Sequence, residues 1–90
     1  MGIRVCFHGC IPEVSNFINT AVVWGKTVRQ CIDEFTELYP SSRKILFDEK
    51  GRLNGDFAVF ADEAIVRTGE LDKSVEDGGK IDIVCVFDGG

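Results

Sequence analysis

Ile81-Asp82-Ile83-Val84-Cys85-Val86-Phe87-Asp88-Gly89-Gly90 closes the chain. From Ile81 to Phe87 it reads as an alternating, largely apolar strand, with the content of a central position in a sheet. The strand runs through Asp88 into two glycines. Without a Cβ, glycine adopts unusual backbone angles at no steric cost, so this tail could enter a narrow channel closed to bulkier residues. The carboxyl of Gly90 is therefore the first candidate for chemistry, with Gly89 as the slim residue behind it.

Upstream of this strand, Thr68 to Lys80 is polar and rich in turn formers. Leu71 and Val75 are its expected inward pins, and Asp77-Gly78-Gly79 is the turn into the strand. Phe57, Val59 and Ala61 alternate with Ala58, Phe60 and Asp62, which predicts another strand. A turn at Asp62-Glu63 leads to a short edge strand at Ile65-Val66. Ile45-Leu46-Phe47 is a short apolar piece, followed by turn signals at Asp48 to Gly51 and at Asn54-Gly55.

The one convincing helix spans Thr27 to Tyr39. Thr27 and Gln30 form a capping box, in which each side chain accepts the other's free backbone N–H. Val28, Cys31, Ile32, Phe35, Leu38 and Tyr39 recur at three- and four-residue spacings, while Arg29, Asp33, Glu34 and Glu37 face away. Pro40 cannot continue the helix, and Ser41-Ser42-Arg43-Lys44 is expected to carry the chain back over the surface. At the start, Ile3, Val5 and Phe7 alternate with Arg4, Cys6 and His8 as a first strand. A connector from Ile11 to Ser15 holds at most one helical turn. A second strand is expected from about Phe17 to Trp24, stopped by Gly25-Lys26.

The order is strand, strand, helix, strand, short strand, loop, strand. It specifies an α+β fold of the β-grasp type, a mixed sheet covered on one face by one main helix. Right-handed crossovers then place the first and last strands side by side and parallel in the centre. Ile3, Val5, Val28, Ile32, Phe35, Ile81 and Ile83 are the expected core. Residues 1–90 are expected to form one domain, with a flexible tail from about residue 87.

A net charge of −5 speaks against nucleic acid, which calls for a basic stripe, and suits a partner with a basic docking face. No apolar run approaches the roughly 18 residues of a membrane span, and no signal segment precedes the first strand, so the expected location is the cytosol. There Cys6, Cys10, Cys31 and Cys85 are expected as reduced thiols. Cys6-Phe7-His8-Gly9-Cys10 gathers soft ligands, but without the usual spacing of a zinc site, so no metal is expected. His8 reads as a strand-end histidine, and Asp82 and Asp88 as solvated charges.

The segment from Leu71 to Val84, an acidic-glycine turn before Ile-x-Ile-Val, together with Gly89-Gly90, resembles the ThiS/MoaD sulfur-carrier family. These are ubiquitin-like proteins of cofactor biosynthesis. Thr27-Val28-Arg29 at the start of the helix is also similar to the family. The resemblance implies a sulfur carrier, a protein cosubstrate with no catalytic side chains and no bound cofactor. A partner adenylating enzyme would use ATP to activate Gly90, because a carboxylate has no adequate leaving group of its own. A sulfur nucleophile would then convert it to a thiocarboxylate, which donates sulfur through an accepting synthase to a cofactor of the molybdopterin or thiamine type or to a sulfur amino acid. Val84 and Val86 on the exposed side of the last strand, with Phe87 near the tail, are the expected docking residues. Two alternatives remain open: a modifier joined through Gly90 to lysines, and an interaction module with an inert tail.

Overall fold

A computed structural model describes residues 2–8 and 20–85, and Val86, Phe87, Gly89 and Gly90 therefore lie outside the described residues. The elements run β1 (Ile3–His8), β2 (Thr20–Val23), α1 (Val28–Leu38), α2 (Ser41–Leu46), β3 (Phe57–Ala61), β4 (Ala64–Val66), a 3₁₀ turn (Thr68–Glu70) and β5 (Lys80–Cys85). The sheet order is β2-β1-β5-β3-β4, with β1 and β5 parallel and every other pair antiparallel. This is the β-grasp arrangement, with the first and last strands adjacent at the centre.

Alternation along the strands sends Ile3, Val5, Phe7, Val59, Ile81 and Ile83 to one face, where α1 covers them with Val28, Cys31, Ile32 and Phe35, all buried. Phe7 meets Phe35 and Phe57 edge-on at 6.1 and 5.6 Å, and Phe35 meets Tyr39 at 5.0 Å, so the aromatic rings knit helix to sheet. The expected core is present in full. Leu38 departs from the expected stripe. It is 58% exposed, while Thr36 is buried in the last turns and donates its hydroxyl to the Asp33 carbonyl at 2.8 Å.

The start of α1 is fully satisfied, and not entirely as a reciprocal box. Thr27 Oγ1 accepts from Gln30 N at 3.1 Å, but Gln30 Oε1 accepts from Lys26 N, one residue before the cap, at 2.8 Å. The next free donors go to the segment before β5: Val28 N to Lys73 O at 3.0 Å and Arg29 N to Leu71 O at 2.8 Å. The segment holding Leu71 and Val75 thereby serves as the helix cap.

Ser41–Leu46 is a helix rather than a surface connector. Pro40 ends α1 yet occupies the αR cap of α2, where its missing N–H costs nothing. Ser42 donates its hydroxyl to Tyr39 O at 2.6 Å, Leu46 is fully buried, and the Arg29 and Arg43 guanidinium groups lie 4.7 and 5.7 Å from the centre of the Phe47 ring. Asp33 Oδ1, buried without a hydrogen bond, faces the same two arginines at 3.4 and 3.6 Å. The β3–β4 turn puts Asp62 and Glu63 at φ 50 and 73°, the two-residue hairpin geometry that matches strand twist. Asp62 also accepts from Lys80 N at 3.0 Å, tying that turn to the start of β5. Gly79 is needed there, because a Cβ would lie 2.9 Å from Glu76 O and 3.2 Å from Asp62 Oδ2.

Candidate functional site

Strand alternation that buries one face of the β1–β5 pair turns the other face outward. Arg4, Cys6 and His8 from β1 lie there beside Lys80, Asp82 and Val84 from β5, in the registers Arg4↔Lys80, Cys6↔Asp82 and His8↔Val84. The rows continue through β3, with Asp82↔Phe60 and Val84↔Ala58, and into β4, with Phe60↔Ile65. Because β1 and β5 run parallel, His8 and Val84 stand together at the end where the chain leaves β5. Gly90 follows Cys85, the last residue of β5, by five positions.

This outer face combines charge with apolar surface. Asp82 is only 16% exposed and holds two partners: His8 Nε2 lies 2.9 Å from its Oδ1 and Lys80 Nζ 3.4 Å from its Oδ2. An anion gripped between two side chains from adjacent strands differs from the freely solvated charge expected of Asp82, and it fixes the His8 ring against the sheet. Around this group Val84, Ala58 and Phe60 are half-buried and Ile65 is 52% exposed. Of the expected docking residues, Val84 lies on this face, and Val86 and Phe87 fall outside the described residues. Phe60, Ile65 and the His8–Asp82–Lys80 group were not anticipated as site residues. The available signal was parity, since Phe60 is a large aromatic at an outward position of an alternating strand.

The thiols divide by burial. Cys31 is buried and donates weakly to Gly25 O at 3.5 Å, and burial, with the Glu34 carboxylate as a second cause, pushes its pKa up to about 11. Cys6 is half-buried on the outer face, with Thr20 Oγ1 at 3.9 Å from its sulfur. Both are free thiols. Among the described residues no group of three or more His, Cys, Asp or Glu side chains could hold a metal ion, and no helix is long and apolar enough to cross a membrane. Cys10 lies outside the described residues.

No protein-family model matches the sequence, and no curated protein matches it. Solved structures do match in fold. SAMP1 from Haloferax volcanii superposes with a TM-score of 0.80 at 17% identity, over 100% of both chains. The small archaeal modifier protein 1 of Methanosarcina acetivorans gives 0.78 at 21% identity, covering 98% of this chain and 95% of that one. The Amycolatopsis orientalis BexX/CysO complex gives 0.80 at 22% identity over 98% and 99%. At these identities the likeness establishes the β-grasp fold alone.

Proposed function

We propose that this chain is a sulfur carrier whose Gly90 carboxylate is adenylated by a partner enzyme at the expense of ATP, converted to a thiocarboxylate, and presented to a sulfur-accepting synthase. The observation that supports this most directly is topological. The tail leaves a central strand, anchored on one side by β1 and on the other by β3, and Gly-Gly lies within five residues of that anchor. Five residues span at most about 17 Å, enough to reach a partner's active site while the body stays docked outside it.

Adenylation joins a Gly90 carboxylate oxygen to the α-phosphorus of ATP and expels pyrophosphate. A sulfur nucleophile then adds to the activated carbonyl and displaces AMP. No side chain of the body is required for either step. The outer face around Val84, Phe60 and the His8–Asp82–Lys80 group supplies recognition, with the apolar residues as the packed centre and the charges fixing orientation. That one structural neighbour, CysO, occurs in a complex with BexX supports a body that works by docking.

A second reading is favoured by the two neighbours described as SAMP1, one of them spelled out as a modifier protein. In that reading Gly90, once adenylated, ends in an isopeptide bond to lysine. Both readings predict that intact protein supports ATP–pyrophosphate exchange by its cognate adenylating enzyme and that protein lacking Gly90 does not, with melting unchanged. Equal exchange by the two proteins would eliminate both readings and leave the inert interaction module. Intact mass after expression with the native pathway separates the first two, since a thiocarboxylate exchanges one oxygen for sulfur whereas conjugation adds a whole protein.

A further inference from the structure

At the end of the outer face farthest from the tail, side chains give way to bare backbone. Arg4 stands between Lys80 and Val22 in one row across three strands, in the registers Arg4↔Lys80 and Arg4↔Val22. The next outward position before it is Gly2, where a Cβ would lie 2.5 Å from Val22 Cγ1 and 3.2 Å from Trp24 Cε3, so these two side chains lean over the glycine. With Gly78 and Gly79 alongside, the row ends in an open cavity of about 410 Å³ lined by the three glycines, Arg4, Lys80 and Val22. The chain leaves β5 at Cys85, the other end of that strand, about 17 Å away by strand rise.

The charged groups that line this cavity are both cationic. Arg4 and Lys80 are exposed and directly opposite on adjacent strands, an arrangement of like charges that is unfavourable unless an anion lies between them. Lys80 shares Asp82 with His8, whereas Arg4 has no carboxylate partner among the described residues. Asp62, Glu63, Glu76 and Asp77, the acidic residues of the adjoining turns, are not among the lining residues. Asp62 accepts from Lys80 N at 3.0 Å, and Asp77 lines a second cavity of about 210 Å³ beside Gly2, together with Trp24 and Lys26. The apolar surface at this corner is Val22, 53% exposed, and Trp24, 67% exposed.

We propose that this corner receives an acidic and apolar segment of a partner protein: one Asp or Glu carboxylate is held jointly by the Arg4 guanidinium and the Lys80 ammonium, and a neighbouring large apolar side chain packs on Val22 and Trp24. Charge complementarity selects an anion, and the backbone selects which anion. Adjacent strands lie about 4.8 Å apart, so two long cations side by side can reach one carboxylate. A phosphate site at a glycine turn would draw on free backbone N–H groups. Here those of Gly78, Gly79 and Arg4 go to Gly2 O, Glu76 O and Gly79 O, and that of Lys80 goes to Asp62. What remains is two side-chain heads beside an apolar wall, with Trp and Arg among the residue types enriched where protein interfaces bind most tightly. The proposal does not depend on the reading of Gly90.

The test is ¹⁵N-resolved titration of the full-length protein with an acetylated Ser-Asp-Leu-Glu-Phe-Asp-Ser peptide. Saturable shifts are expected at the amides of residues 2–4, 22–26 and 77–80, with affinity falling as salt is raised. Replacing each Asp and Glu of the peptide by Asn and Gln should weaken binding at least about tenfold. Arg4→Gln should weaken it about tenfold and Trp24→Ser about threefold, while Lys50→Gln, in the turn that follows α2, should leave it unchanged. Amides away from the corner should keep their wild-type positions in Arg4→Gln, so that lost binding reads as a lost contact and not a lost fold. The proposal is overturned by equal affinity for the acidic and amide peptides, by shifts centred on Val84, Phe60 and Ile65, or by no saturation at millimolar peptide. It is overturned equally by inorganic phosphate saturating the same amides more tightly than the peptide, or by concentration-dependent shifts of those amides without peptide, which would assign the corner to a second copy.

Discussion

The two faces of the β1–β5 pair are made by the same backbone and differ in everything else. On the helix side Val5, Ile81 and Ile83 are fully buried and Phe7 nearly so, an all-apolar set of fixed shape. On the outer side the intervening residues are Arg4, Cys6, His8, Lys80, Asp82 and Val84, which mix charge, thiol and half-covered apolar surface. A face turned only to solvent has no need to fasten Asp82 between His8 and Lys80 or to carry Phe60 and Val84 beside it. On the function proposed above, the contrast assigns stability to one face and recognition to the other. Substitutions should therefore separate cleanly: large losses of stability without specific loss of docking inside, and the reverse outside.

The largest effect on stability is expected from Phe35→Ala. The ring is 1% exposed and packs between Phe7 and Tyr39, so its removal leaves a cavity at the centre of the helix–sheet contact. A loss of about 3–5 kcal/mol is expected, a large share of a small domain's stability, read as a lower urea midpoint at unchanged slope. An unchanged midpoint would break the inner half of the comparison. Gly25→Ala should come next, at about 1–3 kcal/mol. A Cβ there would lie 2.7 Å from the Cys31 backbone nitrogen and 2.8 Å from Gln30 Cβ, so β2 and the first turn of α1 would have to move apart. A stable alanine variant would show that this approach is adjustable.

The inner face was legible in the sequence because burial repeats locally: period two in β1, β3 and β5, and three-four spacing in α1. What escaped needed distant partners. The α2 helix has six residues, too few for its own periodicity or for stability alone, and it depends on Arg43 over Phe47, Ser42 on the Tyr39 carbonyl and the burial of Leu46. Leu38 fits the stripe by spacing, but it is exposed while Thr36 is buried in its place near the end of the helix. The second arm of the capping box went to Lys26 instead of Thr27, in a stretch whose Lys26 O and Val28 N pair with the distant Val75 and Lys73. On the outer face, His8 and Asp82 are 74 positions apart, and only the parallel register of β1 and β5 brings them to 2.9 Å. Strand parity marked Phe60 as outward but carried no information about its neighbours.

The thiols sharpen the contrast more gently. Cys31, with its pKa raised to about 11 from 9.0 by burial and then by Glu34, holds its proton more tightly folded than unfolded. Its contribution to stability is complete below pH about 9 and declines as pH rises from about 9 to about 11. Urea unfolding of wild type and Cys31→Ala should therefore diverge least at the alkaline end of that window. In the native protein near pH 8, alkylation should reach Cys6 well before Cys31, as mass mapping after digestion would show. Equal labelling would mean that the helix lifts from the sheet more readily than its packing implies.

The smallest change in stability is expected on the outer face, and it is the one that tests the division of labour. Ile65→Ser removes a side chain that is 52% exposed on the edge strand β4, so stability should stay within about 0.5 kcal/mol of wild type. If the outer face docks the enzyme that activates Gly90, the same substitution should raise the protein concentration needed for half-maximal pyrophosphate exchange while leaving the maximal rate near wild type, because it removes binding shared by ground and transition states. Asp82→Asn should act in the same direction, since it keeps the size of the side chain but releases the charge that holds His8 and Lys80 in place. A fall in maximal rate with no change in half-saturation would mean that these residues help place the tail rather than bind the body. Unchanged exchange for both variants would remove the outer face from recognition and leave its charged group as a feature of the sheet alone.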